Sequence, residues 1–177
     1  DAEQLRQIVL RLPPVLGYSV EANTEPKLEW LQKRLDVDDL GLRKMVVACP
    51  QLFGYSIEGN LEPKLGWVRK GPDLDAAGLK KIVVRHPQLL GLSVEDNLEP
   101  KLDWLRRRLD LDDVGLRQMV LRLPSLLGSS VAANMAPTLD WLQTRLDLDD
   151  AELRKDDLME PQLLNCSVED NMAPQLQ

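Results

Sequence analysis

Ser93-Val94-Glu95-Asp96-Asn97-Leu98-Glu99-Pro100-Lys101-Leu102-Asp103-Trp104-Leu105 decides how this chain is read, because the same pattern returns five times. Asn falls at 23, 60, 97, 134 and 171, and a Pro follows three residues after each. Trp30, Trp67, Trp104 and Trp141 come four residues after the first four of those prolines. The step is 37 residues without insertion, and a second series, Pro13, Pro50, Pro87, Pro124 and Pro161, keeps it. A fixed period of this length marks supersecondary units that bury their apolar faces by stacking on their neighbours. The units run 1–37, 38–74, 75–111, 112–148 and a truncated 149–177, read as a single repeat domain over 1–177. Asp1 aligns with Asp38, Asp75, Asp112 and Asp149, and Gln177 stops one residue short of the next Trp slot, so a piece of a longer protein is expected.

Within Asp112–Leu148, Asp112 or Asp113 is placed to cap a helix, its carboxylate accepting from first-turn N–H groups and complementing the helix dipole. Leu116, Met119, Val120 and Leu123 then keep amphipathic helical spacing, and Pro124 ends the helix. Ser125-Leu126-Leu127-Gly128 is one helical turn in length, with a glycine expected to supply positive φ as its stop. The next helix has two candidate starts. With Ser93 as cap, Pro100 lies at an interior position that costs about 3 kcal/mol; with Asn97 as cap it lies in the first turn, where no intrahelical N–H is lost. Asn97 is therefore the expected cap of the main helix and Ser93–Asp96 a capped turn before it. Leu98, Leu102, Leu105 and Leu109 supply the apolar face, and Gly71-Pro72 should stop the corresponding helix of the second unit near Lys70. Nothing alternates with period two, so the fold expected is all-α: an α-solenoid of helix, short turn, helix repeats.

Hydrophobic residues make up 44% of the chain, enough for a core, with no apolar run near the roughly eighteen residues of a membrane span, so no membrane insertion is expected. Cys49 and Cys166 stand at different repeat positions without metal-ligand spacing and read as free thiols. No phosphate-binding glycine loop, nucleophile elbow or His-Glu metal motif occurs, so no cofactor, small-molecule substrate or enzymatic activity is expected. The single histidine, His86, takes the slot of Leu12, Cys49 and Leu123 and reads as a packed helix-end residue. A net charge of -7 argues against non-specific attraction to phosphate.

Stacked repeats turn recurring residues into surface stripes. Arg6, Arg43, Lys80, Arg117 and Arg154 form one basic column, with Arg11, Arg85 and Arg122 five positions later. The columns suit a phosphate-tracking stripe that positions a nucleic-acid backbone. The competing reading is intrahelical pairing with Asp39, Asp113 and Asp150 four residues before Arg43, Arg117 and Arg154; it is favoured for that column and leaves Arg11, Arg85 and Arg122 as the better phosphate candidates. The tryptophans have basic flanks, Lys101 and Arg108 beside Trp104, that suit stacking and clamping of a strand, although packing of each Trp between repeats is the preferred reading. Asp36, Asp73, Asp110 and Asp147, with the capping aspartates two residues on, read as a solvated acidic ridge. In the fifth unit Asp156, Asp157 and Glu160 replace core residues, which marks a frayed helix or a docking site for another protein.

Leu-x-x-[Ile/Met]-Val-x-x-x-Pro-x-[Val/Leu]-[Leu/Phe]-Gly-x-Ser followed by Asn-x-x-Pro-x-Leu-x-Trp-[Leu/Val] resembles the repeat of the mitochondrial transcription termination factor family, mTERF, and the resemblance covers essentially the whole chain. It implies repeats stacked into a curved superhelix, location in a mitochondrion or chloroplast, and binding of nucleic acid, DNA or RNA, in organellar gene expression. The alternative expectation is a structural or adaptor solenoid subunit of an organellar protein complex, using the acidic surface.

Overall fold

A computed structural model describes residues 2–149 together with Glu152, Leu164 and Val168. Its elements follow the 37-residue step. The first helix of each repeat is α1 (Ala2–Arg11), α3 (Asp39–Ala48), α5 (Ala76–Arg85) and α7 (Asp113–Arg122); the second is α2 (Glu25–Leu35), α4 (Glu62–Lys70), α6 (Glu99–Leu109) and α8 (Ala136–Leu146). Among the described residues there is no strand. The chain divides into two compact units, Asp1–Val94 and Glu95–Gln177.

α3, α5 and α7 each start at an aspartate with extended backbone. Asp38, Asp75 and Asp112 accept from the N–H groups of Gly41, Gly78 and Gly115 at 2.8, 2.7 and 2.7 Å. In the fifth repeat Asp149 accepts from Glu152 N–H at 2.7 Å while the Glu152 carboxylate accepts from Asp149 N–H at 3.1 Å, a reciprocal capping box. Each first helix stops at a residue held near φ -135° by the proline after it: Leu12, Cys49, His86 and Leu123. A 3-10 turn follows, Pro13–Gly17, Pro50–Gly54, Pro87–Gly91 and Pro124–Gly128. The glycines closing these turns do not take positive φ, contrary to expectation. At two of them the requirement is space: a Cβ would stand 3.3 Å from the Tyr18 hydroxyl at Gly54 and 2.6 Å from the Tyr55 hydroxyl at Gly91.

The phased prolines of the second helices are accommodated by a different device from the one expected. Val20–Thr24, Ile57–Leu61, Val94–Leu98 and Val131–Met135 each form a π-helical turn that runs directly into the α-helix. Ser19, Ser56 and Ser130 cap three of these turns, accepting from Ala22, Gly59 and Ala133 N–H at 3.0, 3.1 and 3.0 Å. Glu25, Glu62 and Ala136 N–H bond back five residues to Val20, Ile57 and Val131. This wider register opens the turn ahead of Pro26, Pro63 and Pro137, where a regular α-turn would press the ring on the carbonyl four residues back. Asn97 is therefore not a cap: it sits inside the π turn and its Oδ1 accepts from Lys101 Nζ at 2.9 Å.

α2, α6 and α8 end at Asp36, Asp110 and Asp147, and Asp73 follows three residues after the last residue of α4; all four aspartates are in the left-handed region with φ of 49 to 53°. The next N–H closes the helix end, as with Val37 to Gln32 O at 3.1 Å and Leu111 to Arg106 O at 3.0 Å. The Asp-x-Asp connection is thus a helix stop followed by a helix start. The helix before Gly71-Pro72 ends at Lys70, two residues short of its counterparts' length. Core residues follow the phase: Leu98, Leu102, Leu105 and Leu109 line α6, and Leu116, Met119 and Val120 line α7. In the first unit α1, α3 and α5 pack side by side in chain order, with α2 against α3 and α4 against α5.

Candidate nucleic-acid interface

The side-by-side packing of α1, α3 and α5 makes the basic column real in the first unit, since equivalent residues recur on adjacent helices. Burial of Leu42, Met45 and Val46 turns Arg43 and Lys44 outward on α3; burial of Leu79, Ile82 and Val83 does the same for Lys81 and Arg85 on α5. These four cations are exposed and make no ion pair among the described residues. The expected partner of Arg43, Asp39, instead accepts from Gln32 Nε2 at 2.8 Å, and Asp113 takes Arg106 at 2.6 Å. Arg6 lies 3.7 Å from Glu3 with both side chains exposed, and Lys80 donates to the Asp36 carbonyl with its carboxylate at 3.7 Å. Arg11 stays exposed while donating to Val47 O at 3.0 Å. In the second unit Arg122 is exposed at the end of α7 and Arg117 is half-buried one and a half turns earlier.

Charge is segregated along each of the first four repeats. Beyond Glu3, Asp39 and Asp113 in their first turns, the first helices carry no carboxylate, and α5 has none at all. In those four repeats the acidic excess lies in the Asp-x-Asp connections and the second-helix segments; the fifth adds Asp156, Asp157 and Glu160. A chain of net charge -7 can therefore present a positive face. Lys44 and Lys81 escaped notice as a column because Gln7 and Gln118 hold the slot in the first and fourth repeats; the i, i+37 recurrence, which returns at Lys155 in the fifth, was the available signal.

The second-helix cations behave differently. Lys27 and Lys101 are buried and Lys64 half-buried. Lys27 Nζ donates to Phe53 O at 2.5 Å, Lys64 Nζ to Leu90 O at 2.8 Å, and Lys101 Nζ to Leu127 O. Each acceptor is 26 residues on, in the 3-10 turn of the following repeat. The Asn four residues before each lysine holds the ammonium from the other side, at 3.3 Å for Asn23 and 2.9 Å for Asn97; Asn60, with its amide turned so that Oδ1 faces Lys64 at 3.2 Å, donates to Leu90 O at 3.1 Å. Burial pushes all three lysines below the ordinary ammonium range. Lys101 is thus withdrawn from any surface ligand. Arg34 forks onto Glu62 of the next repeat with contacts of 2.8, 2.9 and 3.1 Å, and that hydrogen bonding holds the Glu62 carboxyl below its usual range. Arg108 reaches Asp140 at 3.6 Å and donates to Gln143.

None of Trp30, Trp67, Trp104 and Trp141 is fully buried, so the packing expected of them is only half realised. Trp104 stands between an open groove of about 450 Å³ shared with Pro100, Arg107 and Arg108 and another of about 460 Å³ that reaches Ser129 and Val131. His86 is half-buried at the end of α5, lowered below the usual imidazole range by burial and by Arg85. Burial raises the Cys49 thiol. Asp156, Asp157 and Glu160 lie outside the described residues. Among the described residues no group of His, Cys, Asp and Glu is placed to hold a metal ion, and no helix is long and apolar enough to cross a membrane.

Helix, proline-led 3-10 turn, serine-capped π turn and second helix, repeated at 37 residues and latched from one repeat to the next, define an all-α helical-repeat protein. The mTERF family model matches residues 1–71 and 73–177, and the chain belongs to the mTERF family. None of the curated proteins matches it.

Proposed function

We propose that this is a non-enzymatic nucleic-acid-binding repeat protein of organellar gene expression, in a mitochondrion or chloroplast, that grips the phosphate backbone with the outer face of its first helices. The observation that carries this reading is the set Arg43, Lys44, Lys81 and Arg85, unpaired among the described residues, on two adjacent packed helices cleared of carboxylates beyond the first turn. Membership of the mTERF family supports both the ligand class and the organellar setting. Within the first unit Arg11 shares the helix-end position of Arg85, and Arg6 and Lys80 the mid-helix position of Arg43; in the second unit Arg122 and Arg117 are the equivalents on α7. Contacts of this kind set register and orientation on a nucleic acid without reading bases.

The test is binding of single- and double-stranded oligonucleotides by the whole chain over a salt series. Log affinity should fall linearly with log salt, by about 0.9 per phosphate neutralised on a duplex and about 0.7 on a single strand. Absence of binding at low salt, or affinity indifferent to salt, removes this reading and leaves the adaptor role, with the acidic connections meeting a basic protein partner.

A further inference from the structure

At two of the connections from a second helix to the next first helix, a polar side chain reaches across to a carboxylate in the first turn. Gln32 Nε2 donates to Asp39 at 2.8 Å, and Arg106 Nη2 to Asp113 at 2.6 Å, in each case seven residues on. Arg69 holds the same slot, one repeat after Gln32 and one before Arg106, but the residue seven on from it is Ala76. Among α1, α3, α5 and α7, α5 alone has no carboxylate in its first turn. Arg69 is exposed and makes no ion pair among the described residues.

Where that carboxylate is missing there is a cavity of about 350 Å³ within the first unit. Arg34 of α2, Arg69 of α4 and Lys80 of α5 line it, and Ala76 and Ala77 bring only methyl groups to its wall. Arg34 uses Nε and Nη2 on Glu62, which leaves Nη1 outside the fork. Lys80 Nζ uses one N–H on the Asp36 carbonyl. Asp36 is the one carboxylate in the lining, 3.7 Å from Lys80 Nζ and fully exposed, so water already solvates it. Asp75, the cap of α5, is turned to Gly78 N–H at 2.7 Å and takes no part in the lining. Three cations from three helices therefore converge on a space that the chain itself does not fill with an anion.

We infer that the cavity between α2, α4 and α5 binds a phosphomonoester group, held by Arg69 where the neighbouring connections hold a carboxylate, with Arg34 Nη1 and Lys80 Nζ as the further donors. The match is in number and charge. A phosphomonoester offers three terminal oxygens and roughly two negative charges at neutral pH, one oxygen for each of three cationic donors. A single carboxylate would leave one of the three without an acceptor, and a phosphodiester within a nucleic-acid backbone has two terminal oxygens and one charge. The inference is independent of the backbone grip proposed for the first helices, since Arg43, Lys44, Lys81 and Arg85 are not in the lining.

The probe is inorganic phosphate titrated into the whole chain, with chloride holding the ionic strength constant, followed through the backbone amide resonances of Ala76 and Ala77. Those resonances should shift saturably. Arg69→Gln should weaken the binding by roughly tenfold or more. Ala76→Asp returns the carboxylate to its slot and should abolish the response while the unfolding midpoint stays at or above the parent value. A second arm compares a 5′-phosphorylated oligonucleotide with the same strand ending in a 5′-hydroxyl. A preference for the phosphorylated strand that Ala76→Asp removes assigns the group to a nucleic-acid end; equal binding of the two strands, with the phosphate response intact, assigns it to free phosphate or a small phosphorylated molecule. Resonances indifferent to phosphate, a response that chloride reproduces, or one that survives both substitutions would overturn the inference.

Discussion

One set of cations on the first helices and one on the second are put to opposite uses. On α3 and α5, Arg43, Lys44, Lys81 and Arg85 stand in solvent with no carboxylate paired to them among the described residues. On the second helices, Lys27, Lys64 and Lys101 are drawn inward to a backbone carbonyl of the next repeat, and Arg34 forks onto its Glu62. What separates the two sets is neither residue type nor local charge density but the repeat interface. A lysine 26 residues before a 3-10 turn meets an unsatisfied carbonyl as the repeats stack, whereas an outward lysine on a first helix meets only water. A basic residue in this architecture is informative about ligands only after its place in the stacking is known.

The largest stability effect expected at the interface is at Lys101. Lys101→Met leaves the Leu127 carbonyl and Asn97 Oδ1 without their donor, at a cost of about 2–3 kcal/mol by denaturant unfolding. A neutral result would place Lys101 among the dispensable cations and dissolve the contrast. Gly91→Ala comes next, at about 1–2 kcal/mol, because the new methyl meets the rigid Tyr55 ring at its hydroxyl. Combining it with Tyr55→Phe should recover part of the loss, and Gly17→Ala, with open space around it, should cost nothing.

Arg34→Gln should cost less, about 0.5–1 kcal/mol, since the fork with Glu62 is only partly shielded from water. Its pH signature has a definite sign. The Glu62 carboxyl titrates below its unfolded value of 4.5, so its contribution is present above that value and is lost as pH falls through the folded pKa. The acid limb of a stability profile should flatten in Arg34→Gln; an unchanged limb would detach the pair from folding. Smallest is Asp110→Gly, a gain of about half a kcal/mol, because glycine tolerates the left-handed helix stop more easily than aspartate but loses more chain entropy on folding.

The fold was legible wherever the signal was local. Phased prolines and leucines place the helices, the capping aspartates place their starts, and Gly71-Pro72 stops α4 at Lys70. What escaped depends on pieces far apart in the chain or on a register that sequence does not advertise. Ser93 and Asn97 both offer capping oxygens, and only the π turn, which lets a serine-capped helix run on through Pro100, decides between them. The glycines look like left-handed stops until a tyrosine hydroxyl 36 residues earlier is seen above them. Lys101 reads as a margin of the Trp104 surface because its acceptor lies 26 residues away. The basic columns were visible as recurrences, but Asp39 accepts from Gln32 and Asp113 meets Arg106 across the helix connection, partners that i, i+4 spacing does not point to.

The most direct test of the division between the two helix faces compares two variants in one binding assay. Lys44→Glu/Lys81→Glu/Arg85→Glu reverses the outer first-helix face, and Lys101→Met/Arg108→Gln removes second-helix cations engaged between repeats. With a single-stranded and a duplex oligonucleotide at low salt, the first variant should lose binding and reduce the salt slope by roughly one per contact removed while its unfolding midpoint stays at the parent value. The second should unfold earlier and, below its transition, retain the parent affinity and slope. Binding that survives the first set of substitutions and fails in the folded second variant would contradict the account and move the ligand to the Trp104 edge.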